Sequence, residues 1–439
     1  MKAAFLTLGC KVNGYETEAV WELMREKGWE RVEFKDVADA YVLNTCTVTN
    51  TGDVKSRKMI REAVRRNPEA VVVVMGCFSQ LRAEEVLAIP GVGIVLGTRG
   101  RDRIPEYVEE ARKTGGPLNR ILPLDKEAPF EDLRIRSFEG HQRAFLKIED
   151  GCDNFCSYCI IPYARGRVRS KAPAQVLQEA AELVRNGFRE IVLTGIHTGG
   201  YGRDLGGYRF SDLLSDLVNI DGLLRIRISS IEISELTEDV LAVLRSSKKI
   251  VPHLHIPLQS GSDAVLKAMN RKYHKAEYAW KIATLRDLIP DLAVTTDVIV
   301  GFPGETEEHF AEMVGFIREI GFSELHVFPF SPRTGTPAAR RTDQIPGDVK
   351  KRRVDVLLAL SDELAKAYLQ KNVGKILEVL PERWSEGFLT GHTGNYLSVR
   401  FPGPASRIGV PTDVVLLSEN YPLSEARMAE GSDMKEEFR

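Results

Sequence analysis

The stretch DGCDNFCSYC, residues 150–159, decides the fold and the chemistry of the central part of this chain. Cys152, Cys156 and Cys159 follow the spacing C-x3-C-x2-C and come directly after the apolar run FLKIED. Such close spacing lets one loop hold three corners of an iron-sulfur cubane, so the fourth iron stays open to a small molecule. Zinc or a redox disulfide is the alternative, but structural zinc wants four protein ligands and this loop offers three.

Around this loop, apolar runs alternate with helical patterns in six successive units. The runs are FLKIED, IVLTGI, LLRIRISS, HLHIPLQS, AVTTDVIVGF and LHVFPFSP. Strands that alternate with helices predict a parallel sheet covered by helices, and a series of such units is typical of a β/α barrel. Because six units fall short of eight, we expect an open, partial barrel over 139–370, ended by a long charged helical pattern at 347–370.

The two ends of the chain predict further domains. Residues 1–115 alternate the runs KAAFLTLG, AYVLNTC, AVVVVMGC and VGIVLG with helical patterns, which indicates a separate parallel α/β domain. The helical patterns cover 14–27, 53–66, 79–88 and 104–113. Turn-forming residues dominate 116–138, which we interpret as a linker. In 371–439, the short runs KILEVLP, GFLTGHT, YLSVRFP and PTDVVLLSE are broken by glycine and proline, and they predict a small all-β barrel.

Three further cysteines each follow a predicted strand of the N-terminal domain. They are Cys10 after FLTLG, Cys46 after YVLNT and Cys77 after VVVVMG. If these strands are parallel, the thiols emerge together at the carboxyl edge of the sheet, where open α/β sheets bind ligands. An ordinary buried cysteine is the alternative for each alone. Together they fit an iron-sulfur cluster with one open iron, because no fourth ligand for zinc is apparent.

Length, charge and cysteine content narrow the class of protein. A chain of 439 residues is too long for one ordinary domain. No run approaches the roughly 20 apolar residues of a membrane span, and the N-terminus lacks the apolar run of a signal peptide. We therefore expect a cytoplasmic protein without a membrane partner, whose six cysteines are more readily metal ligands than disulfides. The net charge of −2 gives no overall argument for nucleic acid.

The loop at 150–159 resembles that of the radical S-adenosylmethionine (SAM) superfamily in its spacing, in Tyr158 and in its place after the first strand. The resemblance implies that SAM binds the open iron and yields a 5'-deoxyadenosyl radical. The rest of the SAM site is then expected at the other strand ends of the barrel. Candidate residues for binding SAM are Tyr158, Gly195, Gly199, Ser230, Glu232, Gln259, Ser260, Arg165 and Arg167.

Each of these candidates has a plainer interpretation as well. The glycines permit close approach to a ligand, but they are equally typical of turns between strand and helix. Arg165 and Arg167 suit a carboxylate or phosphate, although a solvated basic strand explains them nearly as well. His253 and His255 alternate along one strand and face the same side, and we interpret them as interior histidines rather than ligands.

Over nearly its whole length the sequence resembles the methylthiotransferase family. LGCKVN, NTCTV, MGC, DGCDNFCSYCIIPYARGRVRS, PLQSGS and GFPGET match that family's motifs in order, and the C-terminal runs resemble its RNA-binding TRAM domain. The resemblance implies two 4Fe-4S clusters, an auxiliary one on Cys10, Cys46 and Cys77 and a SAM-binding one on Cys152, Cys156 and Cys159. It also implies an electron donor such as a flavodoxin or ferredoxin, and a sulfur donor.

LGCKVN most resembles the branch that methylthiolates carbon 2 of N6-threonylcarbamoyladenosine at position 37 of tRNA, beside the anticodon. Other branches act on isopentenyladenosine in tRNA or on an aspartate of a ribosomal protein. A non-catalytic iron-sulfur RNA-binding protein is a further alternative, which predicts no cleavage of SAM.

Basic clusters give modest independent support for an RNA partner. KSRKMIREAVRR, residues 55–66, carries six cations against Glu62, and 350–353 is a run of four. Solvated helix faces explain such runs equally well.

Overall fold

A computed structural model of the chain describes residues 1–125, 128–138, 140–418 and 420–430. Parts of the predicted linker (126–127), of the predicted barrel (139) and of the predicted C-terminal domain (419 and 431–439) lie outside the described residues. In the part of the chain that is described, no helix combines the length and apolar character that crossing a bilayer requires.

The N-terminal region forms a six-stranded parallel sheet in the order β2-β1-β3-β4-β5-β6. The strands are β1 (Lys2–Thr7), β2 (Glu30–Val32), β3 (Ala40–Thr45), β4 (Val71–Gly76), β5 (Val92–Val95) and β6 (Leu118–Asn119). The helices are α1 (Lys11–Glu26), α2 (Asn50–Arg66), α3 (Cys77–Leu81), α4 (Ala83–Leu87) and α5 (Ile104–Thr114). The helical pattern at 79–88 is thus two short helices, because Arg82 leaves the helical conformation. β6 lies in the stretch that predicts a linker.

The helices cover both faces of this sheet, which explains why β3 and β4 are buried along their whole length. Val73 and Val42 pack with Trp21 of α1, while Val72 and Val74 pack on the opposite face. Continuous apolar runs are the pattern of parallel strands buried on both sides.

The central region is a second parallel sheet, in the order β14-β13-β12-β11-β10-β7. Its strands are β7 (Arg143–Lys147), β10 (Glu190–Thr194), β11 (Arg225–Ile228), β12 (Ile250–His255), β13 (Ala293–Val300) and β14 (Glu324–Pro329). All six predicted strands are present, and the series ends without pairing β14 to β7, as expected for a partial barrel. A short ribbon of β8 (Glu149–Asp150) and β9 (Arg169–Ser170) follows β7.

Helices surround the partial barrel on the outside. They are α6 (Ile161–Arg165), α7 (Pro173–Arg185), α8 (Phe210–Leu217), α9 (Glu238–Ser246), α10 (Asp263–Ala268), α11 (Lys275–Leu288), α12 (Glu307–Ile320) and α13 (Gly347–Gln370). α13 matches the predicted charged helix at 347–370. It packs against the edge strand β14, where Ser361 donates and accepts hydrogen bonds with the backbone of Leu325.

The C-terminal region is a closed five-stranded barrel in the order β15-β16-β17-β19-β18. Its strands are β15 (Ile376–Ser385), β16 (Phe388–Thr393), β17 (Ser398–Pro402), β18 (Thr412–Leu416) and β19 (Ser424–Met428). The sequence predicts four of them. The fifth, β19, closes the barrel by pairing with both β17 and β18, and its run SEARM has too few apolar residues to stand out.

Candidate active site

The three N-terminal cysteines meet at one edge of the first sheet. Cys10, Cys46 and Cys77 follow β1, β3 and β4, which are neighbours in the sheet, so their thiols emerge at its carboxyl end. Burial raises the pKa of the Cys46 thiol, and a negative charge on Cys10 raises it further. The same two causes raise the pKa of Cys77, to about 12. The Sγ of Cys46 would lie 3.1 Å from a Cβ built on Gly9, the residue before Cys10, so these cysteines lie close together at the sheet edge.

Two glycines explain why the thiols come so close. Gly9, before Cys10, has φ +107°, and a Cβ there would lie 2.9 Å from the Cβ of Cys46. Gly76, before Cys77, has φ +106°, and a Cβ there would lie 2.5 Å from the Thr45 carbonyl. Only glycine fits such positions, because positive φ and backbone contact both exclude a side chain.

Arg165 links this cysteine group to the partial barrel. Its Nε donates to the Sγ of Cys77 at 3.2 Å, and its Nη atoms donate to Asn13 at 2.7 Å and Glu16 at 2.6 Å. The side chain is fully buried and also pairs with Asp150. All three of its nitrogens are thus occupied by protein groups. Arg165, predicted to anchor the SAM carboxylate or a phosphate, is placed by these bonds between the sheet edge of Cys77 and the loop of Cys152.

The second cysteine group lies on the loop after β8. Cys152, Cys156 and Cys159 are half-buried or buried, and burial raises the pKa of Cys159 to about 12. Phe155 adopts φ +45° between them, so the loop curls back on itself. The backbone of Ser157 donates to the carbonyl of Met269 at 2.9 Å, which ties the loop to the segment after α10.

Arg271 is the cation beside this second cysteine group, and the sequence gives no signal for it. Its Nη1 donates to the Sγ of Cys156 at 3.4 Å, and its Nη2 pairs with Glu232. Glu232, a predicted SAM contact, therefore lies at the cluster loop but is engaged by an arginine. Charge-assisted hydrogen bonds to cysteine sulfur are one of the means by which proteins tune iron-sulfur groups.

Neither cysteine group is shaped for a single metal ion. A single metal ion needs ligand atoms that lie close together. Among the described residues, His255, Asp297 and His326 are the one set of three or more histidine, cysteine, aspartate or glutamate side chains whose ligand atoms all lie within 4.8 Å of one another. The cysteine triplets are more open than that, as thiolates bound to different irons of one cubane must be. The donor sets, three thiols each, fit four-iron clusters with one iron left open.

A cavity of about 230 Å³ opens next to Cys159. Tyr158, Gln259 and Asp297 line it, together with apolar groups of which Ile299 and Phe330 are examples. Gln259 adopts φ +64° and is buried, so the backbone fixes the place of its side chain in the cavity wall. A mostly apolar pocket with a few polar groups beside Cys159 suits an adenosine and a methionine tail. Tyr158 and Gln259, two predicted SAM contacts, thus face one cavity.

Other predicted SAM contacts lie elsewhere. A Cβ at Gly195 would be 2.8 Å from a carboxylate oxygen of Glu149, and one at Gly199 would overlap Glu235. These glycines make room for buried protein carboxylates. Burial raises the pKa of Glu149 well above its ordinary value.

Ser230, Ser260 and Arg167 complete the predicted set. Ser230 is half-buried just after β11, and the Ser260 hydroxyl is buried and accepts from the backbone of Ser262 at 3.3 Å. Arg167 is half-exposed and pairs with Asp153 at 3.1 Å, so it contacts the loop that carries Cys152, Cys156 and Cys159.

A larger cavity, about 480 Å³, lies between the partial barrel and the C-terminal barrel. His253 and His255 line it with Lys11, Thr295 and Tyr396. His253 stacks on Tyr396 with ring centroids 4.6 Å apart, and burial lowers its pKa well below 6.5. His253 is therefore an interior histidine, as expected from the sequence, and Tyr396 is a cavity residue that the sequence did not single out.

Models of two protein families match the chain. The Radical SAM superfamily matches residues 146–317, and a family described as uncharacterized, UPF0004, matches residues 2–97. The first match covers the cluster loop and both cavity-lining strands β12 and β13. The second covers the sheet that carries Cys10, Cys46 and Cys77.

Solved structures share the fold at low sequence identity. The radical SAM methyltransferase TsrM from Kitasatospora setae superposes with a TM-score of 0.57 at 15% identity and covers 77% of each chain. The cobalamin-dependent radical SAM enzyme OxsB gives 0.52 at 13% identity, over 83% of this chain and 56% of that one.

Several curated proteins are similar over almost the full length. The threonylcarbamoyladenosine tRNA methylthiotransferase MtaB of Bacillus subtilis is 52% identical over 97% of this chain and 95% of its own. The protein of the same name from Aquifex aeolicus is 40% identical over 87% and 92%. The tRNA-2-methylthio-N(6)-dimethylallyladenosine synthase of Desulfitobacterium hafniense is 36% identical over 95% of each. The chain therefore belongs to the radical SAM methylthiotransferase family.

Proposed function

We propose that this enzyme adds a methylthio group to carbon 2 of N6-threonylcarbamoyladenosine at position 37 of tRNA. The observation that carries the proposal is 52% identity over 97% of the chain to a protein named for this activity. The relative named for the dimethylallyl substrate is 36% identical, so that substrate is the second candidate.

When bound, a reduced four-iron cluster with SAM on its open iron supplies a 5'-deoxyadenosyl radical, and the protein supplies orientation and excludes water. Cys152, Cys156 and Cys159 would hold this cluster. Tyr158 and Gln259 face the adjoining cavity, where they would orient SAM, while apolar side chains such as Phe330 keep water out.

We propose a second four-iron cluster on Cys10, Cys46 and Cys77, from which the transferred sulfur is supplied. The support is the meeting of three thiols at one sheet edge, with Arg165 donating to Cys77 from the neighbouring region. Such a donor compensates part of the negative charge that three thiolates bring into a buried site.

Further parts of the proposal concern organisation and partners. We propose domains at 1–115, 139–370 and 371–439, of which the first two are joined by the linker 116–138, with Leu118–Asn119 paired to the first sheet. A flavodoxin or ferredoxin would supply electrons, and a separate sulfur donor would replenish the auxiliary cluster. The proposed location is the cytoplasm, a reducing compartment in which cysteines serve as metal ligands rather than as disulfides.

The activity is tested with anticodon stem-loops and mass spectrometry. Reduced, reconstituted enzyme and SAM are incubated with stem-loops that carry either threonylcarbamoyladenosine or isopentenyladenosine. We expect the methylthio nucleoside from the first substrate. If only the isopentenyl stem-loop gave product, isopentenyladenosine would be the substrate. If neither stem-loop were modified, the proposed activity would be contradicted.

The second cluster is tested by iron content and SAM cleavage. Replacing Cys10, Cys46 and Cys77 by alanine is expected to halve the bound iron and stop methylthio transfer while reductive SAM cleavage continues, because the two groups do different work. Replacing Cys152, Cys156 and Cys159 serves as the matched control and should abolish cleavage. Full iron retention in the first variant would contradict the assignment.

A further inference from the structure

Lys11 is an unpaired cation at the wall of the 480 Å³ cavity. Its side chain makes no hydrogen bond or ion pair with another residue in the described part of the chain. The neighbouring carboxylate, Glu190, is taken by arginines: it accepts from Arg227 at 2.7 Å and pairs with Arg225 at 3.5 Å. Lys11 is an exposed residue at the cavity wall, so its ammonium is available to pair with an anionic ligand that enters the cavity.

The arginines near this cavity already have partners in the protein. Arg143 pairs with Glu382 at 3.1 Å. The two Nη atoms of Arg227 donate to the carbonyls of Gly394 and Thr393. Glu324, the carboxylate that lines the cavity, makes no ion pair with Lys11; both residues belong to the described part of the chain. Among the described residues, Lys11 is thus the cation of this cavity that is free to receive a ligand.

A second observation points to a polar ligand in the same place. His253 is 6% exposed and lines the cavity, and its Nδ1 has no hydrogen-bond partner among the residues that the structure describes. Its other nitrogen, Nε2, lies 3.2 Å from the hydroxyl of Thr295. A buried polar atom without a partner carries a free-energy cost that a hydrogen-bonding ligand would remove.

The position of Lys11 relates this cavity to the reaction. Lys11 directly follows Cys10, so an anion at its ammonium lies beside the N-terminal cysteine group. In adenine, carbon 2 and the amino-bearing carbon flank the same ring nitrogen. A base whose carbon 2 faces Cys10 therefore keeps its N6 substituent within the reach of the Lys11 side chain.

We infer that the cavity receives the threonylcarbamoyl group and that Lys11 is the counter-ion of its carboxylate. This inference rests on the proposed function and makes Lys11 a specificity-determining residue. An isopentenyl group has neither charge nor hydrogen-bonding atoms, so it would make no ion pair with Lys11 and would leave the buried Nδ1 of His253 without a partner.

The test compares the acid with its neutral ester. Holoenzyme and the variant Lys11→Met are given stem-loops carrying threonylcarbamoyladenosine or its methyl ester, and kcat/KM and affinity are measured at one salt concentration. Wild-type enzyme is expected to favour the acid about 10- to 100-fold, the range of one charge-assisted hydrogen bond. Lys11→Met is expected to lose that preference, and Lys11→Arg to keep most of it.

The matched control is Lys27→Met, just beyond the other end of α1, where the side chain is 61% exposed. It removes the same charge and should leave the acid-to-ester ratio unchanged. Iron content is recorded for every variant. If Lys11→Met loses iron, the variant Lys11→Gln replaces it. The ratio of the affinities for the acid and ester stem-loops, which needs no turnover, then decides whether Lys11 binds the carboxylate.

Two outcomes would overturn the inference. An equal loss on acid and ester in Lys11→Met would assign Lys11 to an RNA phosphate, and an unchanged ratio would remove it from the site. Both leave the proposed function intact, because wild-type enzyme still modifies the acid. A wild-type enzyme inactive on the acid would instead contradict the proposed function.

Discussion

Glu16 is a fully buried carboxylate whose partners come from three separate parts of the chain. It pairs with Arg101, with Lys147 at 2.7 Å and with Arg165 at 2.6 Å. Burial alone would raise the pKa of Glu16, but these three cations outweigh it and hold the pKa well below 4.5. Glu16 therefore joins the first sheet to the partial barrel through charge, beside the apolar contacts that Tyr15 and Ala19 of the same helix make with the barrel core.

We expect Glu16→Gln to lower the free energy of unfolding by about 3–5 kcal/mol, because it leaves buried cations uncompensated. Urea denaturation followed by tryptophan fluorescence measures this change. The control is Glu26→Gln on the same helix, whose half-exposed carboxylate pairs with Arg136 at 2.8 Å and should contribute about 1 kcal/mol or less. Equal effects of the two substitutions would contradict the role of burial.

The same carboxylate gives a direction for acid sensitivity. Because the pKa of Glu16 is lower in the folded protein than its ordinary value of 4.5, its contribution to stability is complete above that pH. The contribution is lost as the pH falls below 4.5 through the folded-state value. The loss of stability between pH 5 and pH 3 should be smaller in Glu16→Gln than in wild type, as unfolding at a series of pH values would record.

Among the secondary-structure elements, one turn attaches the C-terminal barrel to the partial barrel. Tyr396, between β16 and β17, stacks on His253 of β12 at 4.6 Å and on His392 at 4.9 Å. Arg227 of β11 lies over the same ring, with its Cζ 4.9 Å from the centroid. The stack also forms one wall of the cavity in which Lys11 lies.

We expect Tyr396→Ala to loosen the C-terminal barrel by about 1–3 kcal/mol, since it removes two ring stacks and a cation–π contact. Hydrogen exchange should become faster across 376–428 while β1 to β5 keep their protection. Tyr396→Phe keeps the ring and is expected to resemble wild type. Unchanged exchange in the alanine variant would mean that polar contacts such as the Arg225–Glu378 and Arg143–Glu382 pairs attach the barrel without the ring stack.

Across the molecule as a whole, the two basic runs have different roles. The run at 350–353 is largely structural: Arg353 is buried against Glu305, Arg352 pairs with Glu307, and Lys350 donates to the carbonyl of Phe330. On α2, by contrast, four cations are exposed and make no hydrogen bond or ion pair within the described ranges: Lys55, Lys58, Arg61 and Arg65. Their spacing places them along one side of the helix.

We expect this side of α2 to contact RNA phosphates. Replacing Lys55, Lys58, Arg61 and Arg65 by glutamine should weaken stem-loop binding. The slope of log K against log salt concentration should become shallower by about 0.7–0.9 for each phosphate interaction that the substitutions remove. SAM cleavage should be unchanged. Arg57 and Arg66, whose charges are taken by Glu85 and Glu62, provide the control pair and should have a smaller effect. An unchanged salt slope in the first variant would contradict this role of α2.

The architecture and the six cysteines could be predicted from the amino-acid sequence alone. Alternating apolar runs specify parallel strands because such strands are buried on both faces, and cysteines placed after strands must emerge at one sheet edge. The fifth barrel strand, SEARM, could not be predicted in this way because a short strand of a small barrel needs few apolar residues. The close spacing of Cys152, Cys156 and Cys159 made their loop recognisable without any structure.

The roles of the charged residues, in contrast, became apparent only in the folded chain. In the sequence, Arg165 and Arg353 cannot be distinguished from exposed arginines. In the folded chain, both are buried in ion pairs with residues far away in the chain. Likewise, only the folded chain places Arg271 beside Cys156 and Lys11 at the wall of the larger cavity. This difference arises because hydrophobic periodicity is local and survives in sequence, whereas the partner of a charge is chosen by the fold that brings distant segments together.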